Sequence, residues 1–460
     1  MQAIEQEYEG ARLGDIRVET RARVLARGLA ERPGDSFPEA FPHESDLEAA
    51  YRFLNNDRVT LHKLVEPHVA ATIRRARPQR TIIAAHDTTS FRYEGDGREG
   101  LGRLLQKGRG FYGHMAIAVT HDDVRDPLGL LGIRTIVRSE RRTDKAFDRN
   151  AKVRRSDRES LRWSQLVEEV GERCRDVVDV IHVMDREADS FELFERLTRG
   201  SHRFVIRLAH DRNLEGDGKL HAVLDGASTV AVREVKLSSR VGHSAPSTRK
   251  IHPPREERIA RLSISAVKVT LRHRHKAGEN LKINIVRVVE LEPPPNCEPV
   301  EWRLATTEPI DRAEDVTAVV DAYRARWRIE EFFKALKTGC AVEKRQLQRI
   351  DALLNALGLF IPIAWSLLRM RVLARQDQPA SKVLTKTQTK VLRASSRKPL
   401  PSRLSVRGAI LAIAALGGHL RHNGDPGWIV LGRGYERLLV LEQGWLLAER
   451  GKVRQRCDQS

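Results

Sequence analysis

Cysteine is scarce and scattered in this sequence of 460 residues: Cys174, Cys297, Cys340 and Cys457 lie far apart, with no C-x-x-C pair. That spacing argues against a zinc knuckle and against a disulfide framework, and it fits a reducing cytoplasm. No basic stretch followed by an apolar one opens the chain, which begins MQAIEQEYEG, so no secretory signal is readable. Long hydrophobic runs are also missing. The best candidate, Ala352 to Leu368, is shorter than the roughly 20 residues a membrane span needs and carries Asn355 and Pro362, which predicts a buried helix. No internal repeat is visible.

Acidic charge is in deficit. Lys and Arg total 81 against 62 for Asp and Glu, a surplus of 19 that should draw polyanions to the folded surface, with nucleic acid the favoured partner. The length exceeds one ordinary core and suggests a catalytic domain with appended DNA-contacting regions. Helical periodicity around Leu47, Ala50, Tyr51 and Leu54, and again around Leu61, Leu64 and Val65, predicts a helical N-terminal domain over residues 1–78.

From Thr81 the texture changes to short apolar runs: TIIAAHD, then HMAIAVTHD from His114, then LLGIRTIVR from Leu130. An amphipathic stretch from about Asp157 to Arg175 precedes VVDVIHVMD, which ends at Asp185, and a further helical stretch leads to RFVIRLA from Arg203. The order strand, strand, strand, helix, strand, helix, strand predicts an α/β fold. Its core would be ribonuclease-H-like, a mixed five-stranded sheet with helices, over about 79–345. In that fold the first and fourth strands lie side by side, and Asp87 and Asp185 are expected at their ends. Period-two segments such as ARLSISAVKVTLRHR and LKINIVRVVELE predict a β-rich insertion at about 210–308. Residues 346–460 read as a mainly helical C-terminal region, with a polar linker or loop from about Gln376 to Arg403.

The segment YRARWRIEEFFKALKTG runs from Tyr323 to Gly339. On one straight helix, Tyr323, Arg326 and Lys337 would fall within about 40° of Glu330, a single polar stripe. Ala322, Ile329, Phe333 and Leu336 would form the adjacent apolar face. An isolated Glu/Arg pair four apart is usually a surface ion pair, but an acid flanked by two bases and a phenol can hold a metal ion beside a DNA backbone. Three carboxylates from distant points, Asp87, Asp185 and Glu330, suit two divalent cations about 4 Å apart, the arrangement that cuts phosphodiesters. Oxygen ligands favour Mg2+, with Mn2+ as a substitute.

The Tyr323-to-Gly339 segment resembles the tyrosine-arginine-glutamate-lysine signature of the insertion-sequence-four family of bacterial DDE transposases. HDTTSFRY around Asp87, MDREADSFELF around Asp185, RFVIRLAH around Arg207 and EWRLATTEPI around Trp302 resemble the corresponding family segments in order, as does AAYRFLNN from Ala49 in the N-terminal region. His86 departs from the more acidic residue expected beside the first Asp. The resemblance implies catalytic and metal-binding roles for Asp87, Asp185 and Glu330, with Asp87 shared between two ions. It implies that Tyr323, Arg326 and Lys337 grip phosphates, that Arg207 steadies the strand, and that Trp302 stacks on a flipped base at a DNA hairpin. The implied partners are double-stranded DNA, both inverted terminal repeats and target DNA, and a second copy of the chain in a synaptic homodimer, with no membrane. The C-terminal hundred residues resemble the family only loosely, and the implied location is a nucleoid-associated cytoplasmic one.

Two other functions fit part of the pattern. A non-cutting DNA-binding regulator would have no need of all three acids. A ribonuclease-H-like nuclease would not account for Tyr323, Arg326 and Lys337. Gly95, Gly97 and Gly100 satisfy G-x-G-x-x-G, but Asp96 and Glu99 would repel a pyrophosphate, so a hairpin loop is expected there.

Overall fold

A computed structural model of the protein describes residues 4–95, 97–105, 108–138, 159–216, 218–237, 256–273, 280–295, 297–376, 378–420 and 425–457. Four helices open the chain: α1 (Ile16–Glu31), α2 (Phe37–Ala40), α3 (Glu44–Leu54) and α4 (Leu61–Ala76). Each of α1, α2 and α4 starts at a side-chain cap; the Asp15 carboxylate, for instance, accepts from the Arg17 N–H at 2.8 Å. The apolar periodicity at Leu54, Leu61, Leu64 and Val65 is realised as buried helix faces.

The sheet then begins with β1 (Thr81–Tyr93), the two-residue β2 (Gly102–Arg103), β3 (Arg109–Thr120) and β4 (Pro127–Ile136). After α5 (Arg162–Cys174) come β5 (Asp179–Met184), α6 (Phe191–Arg199) and β6 (Arg203–Arg207). β4 pairs with β3, β3 with β1, β1 with β5 and β5 with β6; only the β1–β5 and β5–β6 pairs are parallel. This is the mixed five-stranded order of the ribonuclease-H-like core expected from the sequence.

The β-rich stretch does not form a sheet of its own. It contributes α7 (Leu220–Asp225), β7 (Thr229–Leu237), β8 (Arg258–Leu271), β9 (Leu281–Leu291) and β10 (Glu301–Thr306). β10 pairs antiparallel with β6, and β9, β8 and β7 follow outward, so the core sheet continues without a break.

Side-chain alternation gives the sheet two different faces. Ile82 and Ala84 of β1 pack with Leu166, Val170 and Cys174 of α5, while Ile83 and Ala85 join the main core. The main core includes α8 (Ala313–Ala325), α9 (Trp327–Lys334) and α10 (Ile350–Leu373). Residues 335–339 extend α9 as a π turn closed by a bond from the Cys340 N–H to the Ala335 carbonyl at 2.8 Å.

α10 is longer than the apolar run alone predicted, and by length and composition it could cross a membrane. However, 83% of its most apolar window is buried inside the protein. Asn355, the polar residue in that run, donates to the carbonyls of Leu54 and Val59 at 2.9 and 3.1 Å. The chain ends in α11 (Lys386–Ser395), α12 (Val406–Leu416) and α13 (Trp428–Cys457). The polar linker expected over 376–403 is corrected by α11. Thr385 and Gln388 form a capping box, and Val391 and Leu392 are buried. Cys174, Cys297 and Cys340 are free thiols. Gly95, Gly97 and Gly100 all adopt positive φ in the loop between β1 and β2, and Asp96 lies outside the described residues.

Candidate active site

Asp87 and Asp185 meet because of strand register. The parallel β1–β5 ladder ends with Ala85 opposite Val183, and the two acids each follow by two residues. They therefore stand at one level on adjacent strands, on the face shared by Ile83, Ala85, Ile181 and Val183. One expectation changes here. Asp87 lies in the middle of β1 rather than at its end, because β1 stays paired with β3 as far as Tyr93 opposite Arg109. Asp185 does follow the last residue of β5, and its carboxylate caps a short 3-10 turn by accepting from the Glu187 N–H at 2.9 Å.

Glu330 comes from α9, which packs against this face. Arg326 at the α8–α9 junction links the acids: one Nη donates to Asp87 Oδ2 at 3.1 Å and the other to Glu330 Oε1. Both guanidinium and carboxylates are sheltered, with side-chain exposures of 11% for Arg326, 16% for Asp87 and 29% for Glu330. Burial, reinforced by the charges of Asp185 and Glu330, pushes the Asp87 carboxyl up to about 7 against the opposing pull of Arg326. Burial alone would lower the Arg326 pKa, but Tyr323 and the three carboxylates raise it above the ordinary arginine value.

The other predicted residues fall into two places. Arg207 at the end of β6, Trp302 of β10 and Tyr323 of α8 adjoin the acids on the same face. The Trp302 and Tyr323 rings meet edge to face at 5.4 Å between centroids, and Arg207 donates to the Glu301 carbonyl at 3.2 Å. Burial raises the Tyr323 hydroxyl pKa although the Arg326 and Arg207 charges oppose it. Lys337 stands apart, and the single stripe of Tyr323, Arg326, Glu330 and Lys337 is corrected. The helix is interrupted at Arg326, and the π turn rotates Lys337 away from the line through Glu330. Its ammonium donates to the Ser90 carbonyl of β1 and lies 3.6 Å from Glu343.

One contributor gave no signal in the sequence. Arg162 reaches Thr88 and Glu187 from the opposite face of the sheet. His86, at the position where an acid was expected, is fully buried and pairs with His182 at 2.9 Å. Burial holds the pKa of both well below the ordinary histidine value, so a carboxylate there would lie uncompensated among neutral rings. Asp189 accepts from the Ala209 and His210 N–H groups at 2.6 and 2.9 Å and pairs with Arg212, a local structural role.

Residues 153–362 match the family model described as Transposase DDE domain, and residues 1–59 match the one described as Transposase DNA-binding. The chain carries a transposase DNA-binding region and a DDE transposase domain. The first span contains Asp185, Arg207, Trp302, Tyr323, Arg326, Glu330 and Lys337, whereas Asp87 precedes it. The protein is also similar to a solved chain titled "Cryo-EM structure of piggyBac transposase synaptic complex with hairpin DNA". The two are 11% identical with a TM-score of 0.36, over 78% of this chain and 67% of that one.

DDE transposase domains generally use divalent metal ions. Among the described residues, no three His, Cys, Asp or Glu side chains are gathered closely enough to hold one. The donor set nevertheless fits: three carboxylates face one guanidinium, and burial, with the like charges of Asp185 and Glu330 adding to it, raises the Asp87 pKa, a cost that a bound cation would relieve.

Proposed function

We propose that this DDE transposase moves an insertion sequence by cut-and-paste transposition, as a member of the insertion-sequence-four family. The observation that carries the proposal is the level placement of Asp87 and Asp185 on adjacent parallel strands, facing Glu330 across Arg326. Two Mg2+ ions, or Mn2+ in their place, would be held by Asp87, Asp185 and Glu330. When bound, such ions supply positive charge to the attacking and leaving oxygens of a phosphodiester.

The chain's own residues do the rest. Arg326 sits among the acids and grips the phosphate of the cleaved strand once its two carboxylate partners are otherwise neutralised. Tyr323 and Lys337 hold neighbouring phosphates, and Arg207 steadies the strand. Trp302, half-buried beside Tyr323, offers its ring to a base turned out of the stack. Water nicks one strand, the freed 3′ hydroxyl forms a hairpin across the duplex, water reopens it, and the 3′ ends join target DNA. In this division of labour residues 1–78 read the terminal repeat, 79–345 cut and join, and 346–460 bring two subunits together at the synapsed ends.

The test is Glu330→Ala, incubated with Mg2+ and duplexes carrying the terminal repeats. We expect cleavage to fall at least a thousandfold while binding to the same duplex persists. Undiminished cleavage would refute the assignment. A wild-type protein that binds the ends without cutting them would favour a regulator, and one that cuts an RNA–DNA hybrid instead would favour a ribonuclease.

A further inference from the structure

We propose that Arg162, the first residue of α5, is a positioning residue that fixes the two aspartate carriers relative to each other from behind the sheet. The need for such a residue follows from the ladder. Backbone pairing between β1 and β5 stops at Ala85 and Val183, two residues short of both acids. Beyond that point the strand that pairs with β1 is β3, and Asp185 sits in a turn. No bond of the β1–β5 ladder sets the spacing of the two carboxylates.

Arg162 supplies the missing link. Its Nε donates to Thr88 Oγ1 at 3.2 Å, and Thr88 follows Asp87 with its side chain on the opposite face. The same hydroxyl pairs with His114 Nδ1 at 2.9 Å, from the residue opposite Thr88 in the β1–β3 ladder. One Nη of Arg162 donates to Glu187 Oε2 at 3.3 Å, and the Glu187 backbone N–H in turn donates to Asp185 Oδ1 at 2.9 Å. The other Nη is anchored on the Glu159 carbonyl at 3.0 Å. Each nitrogen of the guanidinium is thus committed to a different segment, and the side chain is only 14% exposed. A lysine has three N–H donors, but they radiate from one atom and do not reproduce the spread of Nε and the two Nη over these three acceptors. The same commitment, and the location behind β1, leave Arg162 poorly placed to meet DNA.

The inference rests on the metal-site reading above, and the experiment separates the two. Full-length protein is titrated with Mn2+ alone, followed by calorimetry or by the paramagnetic signal of free Mn2+. It is then assayed for cleavage of a terminal-repeat duplex across Mn2+ concentrations, and for affinity to that duplex without metal. Arg162→Lys and Thr88→Val are expected to weaken Mn2+ binding about tenfold or more, the range seen when supports of metal ligands are removed. They should raise the half-maximal Mn2+ for cleavage in parallel and leave metal-free DNA affinity within about twofold. The double variant should lose less than the product of the two single losses, since both break one chain of contacts. Unchanged Mn2+ dependence in folded Arg162→Lys, or lost DNA affinity with unchanged Mn2+ binding, overturns the proposal. If Asp87→Asn and Glu330→Gln also leave Mn2+ binding unchanged, the metal-site reading falls and takes this inference with it.

Discussion

At the scale of single residues, burial does not decide the charge of a carboxylate; the partners it meets do. Asp87 and Glu7 are both removed from water, yet Asp87 is pushed up to about 7 and Glu7 is held down to about 2. Asp87 shares its one guanidinium with Glu330 and faces two like charges. Glu7 has Arg75 to itself, with bonds of 2.7 and 3.2 Å, and also pairs with His68 Nδ1. His68 Nε2 accepts from the Leu130 N–H at 3.1 Å, so the ring is neutral and carries its proton on the nitrogen facing Glu7. Burial lowers the His68 pKa from 6.5, so below that pH the unfolded chain takes a proton the folded one resists. From 4.5 down towards 2, Glu7 adds to this effect, because its folded form is the harder to protonate. Both contributions are complete at neutral pH and are lost on acidification. In urea unfolding these two groups should therefore contribute a stability decline that starts below about pH 6.5 and steepens below about 4.5, superimposed on the opposite trend from Asp87, whose raised pKa favours the folded form on acidification from about 7. Glu7→Gln should cost about 3 kcal/mol at pH 7 by leaving Arg75 unpaired, and should flatten the second phase. An acid profile identical in the variant would contradict the assignment.

At the scale of elements, close approach of backbones matters more than composition. α12 and α13 cross where a Cβ on Gly434 would lie 1.9 Å from the Ile413 carbonyl oxygen and one on Gly417 would lie 2.1 Å from that of Val430. Gly434→Ala should force the helices apart and lower stability by about 2 kcal/mol, measured by thermal or urea unfolding. Gly444→Ala, in α13 with nothing within 4 Å, is the control and should be neutral or slightly stabilising. No such crossing is visible in a sequence, because it depends on which helices meet. The same limit explains the other differences. Alternation made β8 and β9 legible, but the sequence carries no mark that β10 would dock on β6. α11 was obscured by its polar composition, although its Thr385–Gln388 capping box was present. The helix signature placed Arg326 beside Glu330 correctly, since i,i+4 neighbours survive a break in the axis. It misplaced Lys337, since one π turn rotates everything after it. Arg162 gave no signal at all, because its partners Thr88 and Glu187 lie 74 and 25 residues away.

At the scale of the whole molecule, the helical region matched as DNA-binding is built into the same core as the catalytic sheet. The Tyr8 hydroxyl donates to the Leu359 carbonyl at 2.7 Å, in the middle of α10, and Asn355 of α10 returns bonds to Leu54 and Val59. Leu13, Leu25, Leu29 and Phe53 belong to the core cluster that also contains Phe360, Ile361 and Leu367. Removing residues 1–59 would thus uncover one side of the most apolar helix in the chain and leave the Asn355 amide without its partners. This predicts that a chain beginning at Thr60 does more than lose recognition of DNA ends. It should aggregate, or melt well below the full-length protein, and its metal-dependent cleavage of DNA should fail even on substrates pre-nicked to bypass end reading. A truncated chain that stays monodisperse and melts at the full-length temperature would show that the first 59 residues pack on the core without supporting it.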